Sequence, residues 1–187
     1  MPGGKLSLPE SERLVLREWR EKDWPFFAAM NANPQVMRFF PGVMTEKDSL
    51  SMWNRIRKEL DERGYGLYAV ELKHSGSLIG LLGFHWADFE ADFTPCVEIG
   101  WRLVLEAWGY GYATEGARAC LKHGFARFGF DRVYSFTACV NFPSQAVMQR
   151  VGMRKIAEFN HPKVAPDSIL YPHVLYVKDT FRKIERE

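Results

Sequence analysis

Two glycines two residues apart, set between an alternating stretch and a helical one, carry the clearest chemical signal in this 187-residue chain. Val97, Ile99, Trp101 and Leu103 alternate with Glu98, Gly100 and Arg102, the period of a half-buried strand. Trp108, Gly109, Tyr110, Gly111, Tyr112, Ala113 and Thr114 follow. Ala113, Ala117, Cys120, Leu121, Gly124, Phe125 and Phe128 then recur on one helical face. Strand, glycine turn and helix start make an anion site. The first N–H groups of a helix lack internal partners and carry partial positive charge, and glycine lets backbone approach a phosphate. A pyrophosphate is expected over Gly109, Tyr110, Gly111, Tyr112, Ala113 and Thr114. A P-loop is excluded, because no Lys followed by Ser or Thr comes after the second glycine. A dinucleotide fingerprint needs a third glycine where Thr114 stands. Asp131 lies at a suitable distance for that motif, but it precedes the next strand instead of ending it.

Other chemistry-bearing residues are scattered. Glu98 is a charge inside a strand between Val97 and Ile99, which suggests a general base; an ion pair or a solvated face is the other reading. His85, at the end of the preceding strand, is a second base candidate or an acceptor-site residue. Asn141 stands before Pro143 and Ser144 at the start of a short helix and is suited to cap it. His161 and His173 flank a proline-rich stretch and are expected to shape a substrate pocket or to be structural. Phe39, Phe40 and Trp53 form an aromatic stripe that lines a substrate mouth or covers the sheet. Cys96, Cys120 and Cys139 have no metal-type spacing, so no metal site is expected and the thiols read as reduced.

The elements that must position these residues follow from period and punctuation. Residues 13–18 alternate and read as a first strand. Asp23 is expected to cap a short helix through Asn31, and residues 33–43, with Pro34 and Pro41, read as a loop. Thr45 with Asp48 resembles a capping box opening a second helix. Leu50, Trp53, Ile56 and Leu60 give that helix its apolar face, and Gly64 stops it. Strands are expected at 67–72, 78–84, 97–103, 133–138 and 174–177, with the long helix between the glycine turn and Gly129. Residues 157–172 contain three prolines and read as largely loop. Residues 1–12 read as a loose arm, 13–180 as one domain, and 181–187 as a charged, solvated tail. The length suits a single core. A net charge of +2 gives no reason to expect nucleic acid or a membrane surface as partner. No run of 18 apolar residues and no signal-peptide core is present, so a cytoplasmic protein is expected.

Trp108-Gly109-Tyr110-Gly111-Tyr112-Ala113 resembles the pyrophosphate loop of the GCN5-related N-acetyltransferases (GNAT), a Gln/Arg-x-x-Gly-x-Gly/Ala pattern. Gly111 and Ala113 match it, and Trp108 replaces the usual Gln or Arg. The wider run from Ile99-Gly100-Trp101 to Thr114-Glu115, and Asn141 to Met148 ending at Val151-Gly152-Met153, resemble the subgroup of ribosomal-protein-alanine N-acetyltransferases. The resemblance spans about residues 13–178. It implies an α/β domain with a mixed, mostly antiparallel sheet, and acetyl-CoA as cofactor. It implies that Trp101, Arg102 and Leu103 offer backbone to the pantetheine arm, with Asn141 bonding the same arm. Met148 stands where many members carry a Tyr acid, so Ser144 is the replacement acid beside the cofactor, and Glu98 takes the base's place. Phe39, Trp53, His85, His161 and His173 then belong to the acceptor side.

The implied reaction is acetyl transfer to a primary amine, of a protein N-terminus or a small molecule, by direct transfer in a ternary complex. Such transfer needs the amine neutral and the thiolate protonated. An α-amine is about 10% neutral at pH 7 and a Lys amine about 0.04%, so the demand on a base depends on the acceptor. A non-catalytic CoA-binding module is the alternative, and a nicotinamide dehydrogenase a third. The oligomeric state is open between monomer and homodimer.

Overall fold

The computed structural model describes residues 7–180. Seven strands form one sheet in the order β1-β2-β3-β4-β5-β7-β6. They are β1 (Leu14–Arg17), β2 (Leu67–Leu72), β3 (Leu78–Ala87), β4 (Cys96–Leu103), β5 (Arg132–Ala138), β6 (Arg154–Asn160) and β7 (Pro172–Asp179). The helices are α1 (Trp24–Ala32), α2 (Glu46–Arg63), α3 (Tyr112–His123) and α4 (Phe142–Arg150). Every neighbouring pair of strands is antiparallel except β4 and β5. The fold is therefore the expected mixed, mostly antiparallel α/β domain. Among the described residues, no helix is long and apolar enough to cross a membrane.

Local chemistry sets the helix ends. Thr45 Oγ1 accepts from the Asp48 N–H at 3.1 Å while Asp48 accepts from the Thr45 N–H at 3.2 Å, so the capping box opens α2 and Gly64 closes it. A π-helical turn (Gly124–Phe128) continues α3 to Gly129. At α1 the expectation fails in detail. The Asp23 carboxylate does not cap the helix; it takes the Arg17 guanidinium at 2.6 and 3.1 Å and the Arg20 N–H at 2.8 Å, a buried charged pair that outcompetes a cap.

The helices cover opposite faces. Where α3 crosses the sheet, a Cβ on Gly116 would stand 2.6 Å from Leu82, whose strand position pairs with Trp101. That face also carries Ile99. Glu98, Gly100 and Arg102 lie on the other face, under α1 and α2. It is polar in phase, as the alternation implies, yet it lies under helices and is half-buried instead of fully solvated.

Three expectations need correction. Residues 154–160 form β6, although the stretch from 157 reads as loop. A bulge between Lys155 and Ala157 breaks the period of two, and most of this edge strand is exposed, so no apolar alternation marks it. Residues 7–12 are docked, not a loose arm: Ser11 Oγ donates to Glu115, and the Ser7 carbonyl lies 3.0 Å from His123 Nε2. The remaining arm residues, and the tail from 181, lie outside the described residues. Finally, Leu50 is exposed, and the inner face of α2 is Ser49, Met52, Trp53, Ile56, Glu59 and Leu60.

Candidate active site

β4 and β5 share one registered pair, Glu98 with Tyr134. The Ser135 hydroxyl donates to the Ile99 carbonyl at 2.8 Å. Beyond that point residues 100–103 of β4 have no partner on β5, whose outer edge stays paired with β7. The parted strands open a cleft of about 1500 Å³, larger than the pockets that hold typical small ligands.

At one end lies the glycine turn. Gly109 and Gly111 have φ of +83° and +80°, values that residues with a Cβ rarely adopt. Only the Arg13 Nη2, at 3.7 Å, lies within 4 Å of where a Gly111 Cβ would stand, so the backbone is open to a ligand. Gly111 is the N-cap of α3, which leaves the first-turn N–H groups of Tyr112, Ala113 and Thr114 without intrahelical partners. Glu115 fixes this turn to the residue preceding β1: it accepts from the Arg13 backbone N–H at 2.7 Å and from Arg13 Nε at 2.6 Å, and Arg13 Nη2 donates to the Tyr110 carbonyl at 3.1 Å. Trp108 lines the cleft, its indole N–H bonded to the Leu103 carbonyl at 2.8 Å. Tyr110 departs from expectation. Its ring is 61% exposed, stacks on Tyr112 at 5.6 Å, and lies outside the cleft lining, so only its backbone belongs to the turn.

The start of α4 forms the facing wall. Asn141 Oδ1 accepts from the Ser144 N–H at 3.3 Å, and Asn141 Nδ2 donates to Thr137 Oγ1 at 2.8 Å. The cap is therefore made, and one amide hydrogen remains for a ligand. Ser144 lines the cleft, as does Met148, which is otherwise buried.

Under α1 and α2 lies a cluster of charges. β3 runs past the expected end to Ala87, which pairs His85 with Glu98 across the strands. His85 Nδ1 lies 2.9 Å from Glu59 Oε2, and Glu59 Oε1 accepts from the Trp86 N–H at 2.6 Å. A carboxylate can only accept, so His85 carries its proton on Nδ1 and keeps Nε2 as an acceptor when neutral. Burial pushes the Glu98 carboxyl up to about 7; the neighbouring His85 opposes that rise, Glu59 adds to it and Arg55 opposes it. Sequence reading missed Glu59. The signal available was a carboxylate in phase with Met52 and Ile56 on the buried side of α2.

The remaining candidates separate. Phe39 lines the cleft, and Arg38 lies over its ring and over that of Trp108, at 4.8 and 4.5 Å. Trp53 does not line it. This ring is 3% exposed and packs against Trp19, Trp24 and Phe27, the core alternative of the sequence reading. His161 and His173 face each other at 4.8 Å on another wall, beside Phe89 and Phe136. Burial lowers both, His161 to about 4, helped there by His173 and Lys163. The lowering makes both weaker bases than an ordinary imidazole, and with Phe89 and Phe136 they line one wall of the cleft. Trp101 and Leu103 line the cleft on the α3 side, whereas the Arg102 side chain turns toward α1 and α2, so only its backbone is available to a cofactor in the slot.

The acetyltransferase (GNAT) domain family matches residues 13–154, well over half of the chain. The chain belongs to the GNAT acetyltransferases. The Bacillus subtilis protein named uncharacterized N-acetyltransferase YnaD is 32% identical over 146 residues, covering 78% of this chain and 81% of the relative. A GNAT-family acetyltransferase from Bacillus anthracis superposes with a TM-score of 0.76 at 27% identity, over 92% of this chain and 98% of that one. RimJ of Mycobacterium smegmatis, solved with a CoA-disulfide, gives 0.74 at 20% identity over 93% and 88%, a likeness of fold alone. In this GNAT domain, the glycine turn, the parted strands and the His85–Glu98 pair open onto one cleft, with Glu59 buried behind His85.

Proposed function

We propose that this GNAT domain transfers an acetyl group from acetyl-CoA directly to a primary amine, with Glu98 as general base and Ser144 as the acid toward the departing thiolate. The observation that carries the reading is one cleft joining an open helix N-terminus at Gly111 to a carboxyl of pKa about 7.

The residues fit the cofactor. Open glycine backbone and unpartnered first-turn N–H groups suit a pyrophosphate. The unpaired edge of β4 at residues 100–103 can pair with the amides of a pantetheine arm as an added strand would, and the free Asn141 amide hydrogen suits the same arm. Acetyl-CoA, when bound, supplies an acetyl group on a good leaving thiolate. The chain's own residues then handle protons. Glu98 takes one from the acceptor ammonium, and a carboxyl poised near 7 is half ionised where an α-amine is already partly neutral. Glu59 holds His85, the neighbour of Glu98, in a fixed tautomer. The Ser144 hydroxyl needs only weak donor strength, because a thiol leaves with a pKa of about 8.5.

Calorimetric titration with acetyl-CoA tests the reading. One-to-one binding is expected for the wild type, with affinity weakened at least about 100-fold in Gly111→Trp, where a side chain meets both the strained φ and the ligand's path. Absence of binding, or preference for NADH, would overturn it.

A further inference from the structure

Arg102 is a cation without an anion. Its side chain leaves β4 on the face that carries Glu98. Arg102 Nη1 donates to Asn31 Oδ1 at 2.5 Å and lies 3.9 Å from the sulfurs of Met44 and Met52. Its guanidinium carbon lies 4.4 Å from the Phe40 ring centroid, and its Nε–H is buried with no partner. All of these neighbours are neutral. Among the described residues, no carboxylate forms an ion pair with Arg102, Arg55 or Arg38, and all three line the cleft. Burial, with repulsion from Arg55 on α2 adding to it, lowers the guanidinium to about 10; it still carries its charge at pH 7.

A half-buried charge with a buried, unpartnered Nε–H and no ion pair is expensive, and proteins ordinarily neutralise it. Here it stands in the wall of a ligand cleft, on the acceptor face of β4, four positions from the base. Four strand residues span about 13 Å, and Arg55 on α2 lies in between. The glycine turn answers the cofactor's phosphates with backbone at another end, so these guanidinium groups are left for the acceptor.

We propose that the acceptor amine also carries an anionic group, a carboxylate or a phosphate, which docks against Arg102 with Arg55 closing over it while the amine reaches Glu98. This rests on the transfer reading and deepens it: the acceptor is anionic, not a polycation.

The test uses matched acceptor pairs: alanyl-glutamate against alanyl-glutamine amide, and phosphoethanolamine against ethanolamine, with spermidine as the cationic control. Thiol release from acetyl-CoA and binding to the CoA-saturated protein are both measured. The wild type should favour the anionic member at least about tenfold in kcat/KM, mainly through KM. The two pairs separate carboxylate from phosphate. Arg102→Met should abolish the preference and leave acetyl-CoA affinity within twofold, since only the backbone at 102 faces the slot, and Arg102→Lys should restore part of it. Arg55→Met, at an exposed position, should lower the preference about threefold and serves if the buried variant does not fold. Equal use of both members, preference for spermidine, or an equal loss for both members in Arg102→Met would overturn the inference. Loss of acetyl-CoA binding itself would instead fail the transfer reading. If no acceptor turns over, the preference is read from binding alone, and equal or absent binding of the anionic members again overturns it.

Discussion

The two ends of the cleft are built from different materials. The proposed cofactor end is mostly backbone: two glycines, the first turn of α3 and an unpaired strand edge. The proposed acceptor end is side chains brought from far apart, Asn31 on α1, Arg55 and Glu59 on α2, His85 on β3, Glu98 and Arg102 on β4. Backbone donors cannot be deleted by substitution, only obstructed, so the cofactor end should fail when bulk is added. The acceptor end should fail when a single atom is exchanged. The same contrast applies to charge: the turn offers backbone dipoles that do not titrate, whereas the acceptor end holds a carboxyl that titrates near neutrality.

Exchanging one atom at Glu98 should give the largest effect on that side. Glu98→Gln is expected to lower kcat about 100-fold or more while acetyl-CoA affinity holds. A base acts only when deprotonated, so wild-type kcat/KM should rise with pH up to about 7 and then level, and the Gln variant should lose that rise. The same carboxyl shapes stability. Its folded value lies above the ordinary 4.5, so the folded state binds more protons, and stability should fall as pH rises from about 4.5 to about 7. The Gln variant lacks that fall, so by pH 8 its Tm should gain roughly 7–14 °C on the wild type relative to pH 4.5, from about 3–4 kcal/mol at about 2–4 °C per kcal/mol for a domain of this size. An unchanged pH profile would return Glu98 to a structural role.

A smaller effect is expected where the two ends meet. Ser144→Ala should reduce kcat about tenfold, because a thiolate needs little help in leaving. Acetyl-CoA affinity should stay within about threefold, since the Asn141 cap is made to the Ser144 backbone N–H, which alanine keeps. A loss confined to cofactor affinity would move Ser144 from the acid's position to the cofactor wall.

The contrast also explains what could be read from sequence. The glycine turn is contiguous, and its chemistry depends on residue types that announce themselves: a strand's alternation, two glycines, a helical period. The fold was legible for the same reason, apart from β6, where a bulge and an exposed edge erase the period. The acceptor end is written in residues that look ordinary locally. Arg55 and Glu59 are two of many charges on α2, and nothing short of the inner-face phase distinguishes Glu59 from Glu62. Asn31 and Arg102 are 71 residues apart, and the contact depends on how α1 is laid over β4. His85 gained its position only because β3 runs three residues past the expected end, into register with Glu98. Trp53 shows the converse: a ring of the right type beside Phe39 in the aromatic stripe, packed into the core by its helical phase.

The most direct test of the central claim is thiol release from acetyl-CoA with a panel of amines, with binding of acetyl-CoA confirmed in the same samples. Alanine- and serine-starting peptides, amino acids, aminoglycosides and polyamines would be compared with the anionic pairs above. Acetyl-CoA binding with release that depends on one amine class is the expected result. Binding without release from any amine would contradict it, and would leave a domain that holds acetyl-CoA without transferring its acetyl group.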